Sequence, residues 1–140
     1  SDDQLLYLQQ DIERIISEIP DEDDYHRIKQ HWIIGRRIQQ ERLRYRNLGG
    51  FKMRTQVQLG MNLFEKYGEN YNSKSLKDYE LFFNLHLNLF SSLQQDFLSW
   101  KCYEILLNVK DDRKRTYLEK MVFENRWSEE DLLMYIKKLA

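Results

Sequence analysis

The amino-acid sequence predicts an all-α protein: a compact bundle of about six to seven helices with a helix-turn-helix-like unit. Three observations carry this. Five Gly and one Pro in 140 residues leave few breakpoints, whereas a sheet needs frequent turn chemistry. Apolar residues recur at three- and four-residue spacing, the period of an amphipathic helix. Residues that cap helix N-termini stand before several of these stripes. Nine Tyr, seven Phe and three Trp supply the core, because each buried aromatic removes a large apolar area from water. The length suits a single helical domain over 1–140.

The first helix is expected over about 3–18, where Leu5, Leu8, Ile12, Ile15, Ile16 and Ile19 form a stripe. Pro20 and the acidic run Asp21 to Asp24 end it, and those carboxylates suit the positive end of the next helix. The second helix runs over about 24–46, with Tyr25, Ile28, Trp32, Gly35 and Ile38 on one face. Gly35 in mid-helix costs about 1 kcal/mol against Ala, so another helix is expected to approach closely there. Residues 47–50 make a loop.

The third helix, about 51–67, is expected to bury Val57, Gly60, Met61 and Phe64, with Gly68 as a left-handed C-terminal cap. Asn72 or Ser73 caps the fourth, about 73–90, which carries Leu76, Tyr79, Phe82 or Phe83, and Leu87. Residues 91–96 are a polar connector. Ser99 caps a fifth helix with Trp100, Tyr103, Leu106 and Leu107. Asp111 or Asp112 starts a sixth with Tyr117, Met121 and Val122, and Asn125 and Arg126 break it. Ser128 and Asp131 form a capping box for a seventh with Leu132, Leu133 and Ile136.

The net charge is −1, but its distribution is uneven. Residues 1–24 hold nine acidic residues and one basic, a net of −8. Residues 25–54 hold nine basic residues and one acidic, a net of +8. Such asymmetry points either to an anionic partner or to the acidic arm lying on the basic helix. One Cys cannot form an intrachain disulfide, which suits a reducing, cytoplasmic setting. No apolar run approaches the roughly 18 residues of a membrane span, so no membrane partner is expected.

Five blocks of sequence carry a resemblance. They are Trp32-Ile33-Ile34-Gly35-Arg36-Arg37-Ile38; Tyr67-Gly68 with Tyr71 to Leu76; Phe82-Phe83; Leu98-Ser99-Trp100 with Tyr103, Leu106 and Leu107; and Glu124 to Ser128 with Leu132 and Ile136. In this order they resemble the N-terminal helical domain of the YhcG-type nuclease family, over about 25–140. The acidic helix and loop of 1–24 lie outside the best match. In that family the domain precedes a PD-(D/E)-x-K nuclease domain. The resemblance implies nucleic-acid binding or assembly through a helix-turn-helix-like unit, without the nuclease domain. Four positions depart from the family pattern. Glu80 stands where the family has an arginine, Cys102 where it has a histidine, and Asn70 and Arg126 where it has glycines.

Two segments are candidates for nucleic-acid contact. The basic stretch Arg36, Arg37, Arg42, Arg44, Arg46, Lys52 and Arg54 flanks a Gly-Gly loop, with Tyr45 and Phe51 interleaved. Guanidinium forks suit phosphates and aromatic rings suit bases. The same cations also complement the negative end of a helix. Lys74 and Lys77, three apart on the fourth helix, are placed to address phosphates if that helix enters a groove.

No catalytic or metal-ligating set emerges. His26 and His31 do not share a helical face, His86 lies in an apolar helix, and Asp21 to Asp24 lack the spacing of a calcium loop. Pro20-Asp21 with Asp112-Arg113-Lys114 spells a nuclease signature by coincidence. Cys102 among apolar neighbours reads as a buried side chain, and the three Trp as core anchors. The expectation is a non-enzymatic module without a cofactor, binding or targeting nucleic acid (DNA more than RNA) beside a nuclease. The alternative is a protein-interaction or self-association module that uses the acidic first helix and exposed aromatics. The partners are then a nuclease or a second copy.

Overall fold

Seven α-helices and two 3-10 turns form the regular structure of residues 2–48, 51–91 and 96–140, which the computed structural model describes. The described residues contain no strand. The protein is all-α. The Gly49–Gly50 part of the expected loop and residues 92–95 of the expected connector lie outside the described residues. The helices pack as two units, Ser1–Leu87 and Asn88–Ala140.

The first unit holds α1 (Asp2–Glu18), α2 (Asp24–Arg44), α3 (Met53–Tyr67) and α4 (Ser73–Leu85). Asp23 caps α2 by accepting from the His26 N–H at 2.9 Å. That bond holds the Asp23 carboxyl below the usual carboxylate range. Leu8 and Ile12 of α1, Ile28, Ile34 and Ile38 of α2, Leu59 and Leu63 of α3, and Leu76 and Phe82 of α4 fill the core. Gly35 is the closest point of α2 and α4: a Cβ there would lie 2.0 Å from the Tyr79 carbonyl oxygen. This is the close approach expected from the cost of a mid-helix glycine.

Gly68 ends α3 at φ +100°, ψ −169°. The positive φ favours glycine as expected, but ψ lies outside the left-handed helical region. A 3-10 turn, Glu69–Tyr71, leads to α4, where the Asn72 side chain accepts from the Ser75 N–H at 2.8 Å. Helix α3, this turn and α4 form the helix-turn-helix-like unit.

Helix α4 stops at Leu85, short of the expected 90. His86 caps it, and its carbonyl accepts from the Trp32 indole N–H at 2.9 Å. That bond draws the chain off the helix path.

The second unit holds α5 (Trp100–Leu107), α6 (Asp112–Asn125) and α7 (Glu129–Leu139). Each starts on a side-chain cap that the sequence marks. Ser99 accepts from Cys102 N–H, Asp111 from Lys114 N–H, and Ser128 and Asp131 close a reciprocal capping box. Leu98, Trp100, Tyr103, Leu106, Leu107, Leu118, Val122 and Leu132 are its buried apolar residues, together with Cys102. Burial pushes the Tyr103 phenol up to about 12.

Three expected faces differ. Helix α3 buries Gln56, Leu59, Gly60 and Leu63, while Val57, Met61 and Phe64 are 42%, 59% and 47% exposed. It carries two apolar stripes, and the close approach of Gly60 to Ser73 selects the other one: a Cβ on Gly60 would lie 2.5 Å from the Ser73 nitrogen. Helix α6 turns Leu118 inward beside Val122 and leaves Tyr117 exposed. Helix α7 buries Leu132 and leaves Leu133 exposed. Both are short helices whose single inward stripe is narrower than their apolar content.

Candidate nucleic-acid interface

The sequence offers nine basic residues as candidates: Arg36, Arg37, Arg42, Arg44, Arg46, Lys52, Arg54, Lys74 and Lys77. The structure sorts them by what their charges already meet. Arg37 points into the contact between α1 and α2. Its Nε donates to Asp11 at 2.7 Å and its Nη1 to Glu41 at 2.8 Å. Glu41 is buried, so Arg37 neutralises a carboxylate that water does not reach. Burial works against the Arg37 charge, yet the two carboxylates outweigh it and its pKa rises.

Arg42 ties three helices together. Its Nε donates to Glu80 of α4 at 2.5 Å, its Nη2 to Gln56 of α3 at 2.7 Å, and its guanidinium lies 4.8 Å from the Phe51 ring centre. Glu80, the residue that departs from the family's arginine, is therefore the acceptor that holds Arg42. Lys74 pairs with Asp78 one turn on, at 2.8 Å.

The remaining cations are exposed: Arg36, Arg44, Arg46, Lys52, Arg54 and Lys77. None of the six has a carboxylate within ion-pair distance among the described residues. Arg36 lies over the Trp32 ring at 5.1 Å and Arg44 over Tyr45 at 5.5 Å.

Arg44, Arg46, Lys52 and Arg54 cluster along the sequence at one corner, where α2 ends, a 3-10 turn (Arg46–Leu48) follows and α3 begins. No Asp or Glu occurs in the sequence between Glu41 and Glu65. Lys52 is the N-cap residue of α3 and offers no side-chain hydrogen bond to its first turn. The first N–H groups of α3 and the positive end of its dipole add to the cationic side chains there. Lys74 and Lys77 stand elsewhere: the start of α4 packs on Gly60, midway along α3.

The acidic arm explains part of the charge asymmetry. Asp11 pairs with Arg37, Glu13 with Lys66, and Asp21 with Arg27. Intramolecular pairing thus consumes some of the segment's positive charge but none of the corner's. The pairing of Arg37 with Asp11 and of Arg42 with Glu80 was not readable from the sequence, because these partners lie 26 and 38 residues away.

The two pieces of the nuclease-like signature lie in different units, Pro20-Asp21 in the first and Asp112 to Lys114 in the second. Asp21 is held by Arg27, and Asp112 sits in the first turn of α6 bonded to Arg115. No group of three His, Cys, Asp or Glu among the described residues is arranged to hold a metal ion. His31 is buried against the Tyr79 ring, 3.8 Å between centres. Burial above all, with the Arg27 charge adding to it, pushes its imidazole down to about 3. Cys102 is buried. No helix among the described residues is long and apolar enough to cross a membrane.

A family model described as the DUF1016 N-terminal domain matches residues 8–140. The match starts within α1, so most of the acidic first helix, which the motif blocks leave out, is part of the family domain. No curated protein and no solved structure shows significant similarity to the chain.

Proposed function

The chain belongs to the DUF1016 N-terminal-domain family, the YhcG-type N-terminal domain, and on that premise we propose that it is a non-catalytic, cytoplasmic nucleic-acid-binding module that targets a nuclease. The observation that carries this reading is the corner between α2 and α3. Four cations are exposed here: Arg44 in the last turn of α2, Arg46 in the 3-10 turn, and Lys52 and Arg54 at the start of α3, whose N-terminus has no side-chain cap. Phosphates would take the place of the missing cap, with the guanidinium groups bonding their oxygens. Tyr45 and Phe51, both half-buried, carry the Arg44 and Arg42 guanidinium groups over their rings. Arg42 supports the corner from within through Gln56 and Phe51, and Arg36, Arg37 and Lys77 lie outside it. Duplex DNA is the favoured ligand.

Duplex titration at several salt concentrations tests this. About three to four phosphate contacts give a log–log slope near −3. Replacing Arg46, Lys52 and Arg54 together by Ala should remove most of that slope. All three side chains are exposed, so the fold should be unaffected. Absence of binding at low salt, or a triple variant that binds like the parent, would refute the reading. The same titration with RNA tests the preference for DNA.

A second reading, self-association, is favoured by a different observation, the exposed apolar face of α3.

A further inference from the structure

Met53, Val57, Met61 and Phe64 stand exposed along one side of α3. Their spacings of four, four and three residues make one stripe about 16 Å long. It borders a groove of about 550 Å³ whose walls include Val57, Met61 and Phe64 of α3, Ser73 of α4 and its cap Asn72. Gly60, lacking a side chain, lets α4 approach and forms part of the groove. An exposed stripe of this kind on a helix marks a contact surface.

The charges at its two ends have opposite sign. Lys52 and Arg54 lie at the N-terminal end, and Glu65 and Glu69 lie at or just past the C-terminal end. All four are exposed. Lys66, the cation next to Glu65 in the sequence, is held by Glu13 at 3.0 Å.

We infer that this face joins two copies of the chain, with their α3 helices antiparallel about a two-fold axis at the level of Leu59. Antiparallel packing sets Val57 of one copy against Met61 of the other, and the reverse. It also brings Lys52 and Arg54 of each copy to Glu65 and Glu69 of the other. Parallel packing would set like charges together. The patch is therefore complementary to itself, which a two-fold interface requires. One helix face and a groove bury less than the ~800 Å² per partner of a standard interface, so the dimer is weak and concentration-dependent. The inference shares Lys52 and Arg54 with the nucleic-acid reading, but its central residues are the apolar ones, which that reading does not use.

Sedimentation equilibrium of the whole chain from about 5 to about 300 μM tests it. The mass should rise from one chain toward two across that range. Met61→Asp should weaken association at least tenfold while leaving the thermal melt unchanged, because the side chain is exposed. Arg54→Glu and Glu65→Arg should each weaken it, and the Arg54→Glu/Glu65→Arg double variant should recover most of the loss. A chain that stays monomeric throughout would overturn the inference. So would a dimer indifferent to Met61→Asp, or a double variant no better than either single one. Met61→Asp should still bind duplex DNA, which separates the failure of this interface from failure of the cationic corner.

Discussion

The Arg42 guanidinium reaches from α2 to the Glu80 carboxylate of α4 at 2.5 Å, and the same guanidinium holds Gln56 of α3. Glu80 is almost fully buried, while about a third of the Arg42 side chain stays exposed. Arg42→Ala would strand that carboxylate away from water. The expected loss is roughly 2–4 kcal/mol, below the range for a fully buried pair because solvent reaches Arg42. Glu80→Gln, which keeps an acceptor, should cost about 1–2 kcal/mol. Urea titration at pH 7 checks both. If Arg42→Ala costs nothing, Arg42 is a surface cation rather than the tie between three helices. Loss of nucleic-acid affinity in this variant must be compared with its loss of fold.

Gly35 gives a prediction opposite in sign to helix propensity. Ala in mid-helix is favoured over Gly by about 1 kcal/mol. At this position a Cβ would fall 2.0 Å from the Tyr79 carbonyl oxygen and 2.6 Å from its carbon. Both are backbone atoms of α4, so no side-chain rotation relieves the overlap. Gly35→Ala should destabilise the first unit by more than about 3 kcal/mol, seen as a lower melting temperature by circular dichroism. A melt at or above that of the parent would show that α2 and α4 do not meet there.

These two relationships also mark how far the sequence could be read. Gly35 was legible because a costly residue in mid-helix needs a reason, and close approach is the usual one. The caps at Ser99, Asn72 and Ser128 were legible because a cap acts within four residues. Arg42–Glu80 and Arg37–Asp11 were not, since their partners are set by tertiary packing. Nor was the inward face of α3. Leu59 and Leu63 compete with Val57, Met61 and Phe64 for the core at equal periodicity, and only the contact of Gly60 with Ser73 decides. The cationic corner was legible as composition. Which charges of the longer Arg36 to Arg54 stretch remain available depends on Asp11, Glu41 and Glu80, which hold Arg37 and Arg42.

His31 makes stability depend on pH. Its folded pKa of about 3 lies below the ordinary value of 6.5. Between these values the unfolded chain binds a proton that the folded chain refuses. The stabilisation is therefore complete above about pH 6.5 and is lost progressively as pH falls toward 3. From pH 7 to pH 5 one such group costs about 2 kcal/mol. His31→Phe keeps a ring against Tyr79 and removes the titration. The parent should lose about 2 kcal/mol more than His31→Phe over that interval in urea titrations at the two pH values. Equal losses would mean that His31 takes its proton inside the folded protein.

Arg126 is strained by its backbone. It ends α6 at φ +52°, ψ +46°, the left-handed helical conformation, and it is the one non-glycine residue with positive φ among the described residues. An L side chain there costs roughly 1–2 kcal/mol relative to right-handed backbone, a cost that glycine escapes. The family pattern has glycine at this position, which the geometry now explains. The Arg126 side chain is exposed and has no ion pair among the described residues, so little is lost with it. Arg126→Gly should stabilise the second unit by about 1 kcal/mol, while Arg126→Ala, which keeps the Cβ, should gain nothing. Thermal melts of the three proteins decide the matter. If Ala and Gly act alike, the side chain rather than the backbone sets the effect, and the left-handed turn is not what Arg126 strains.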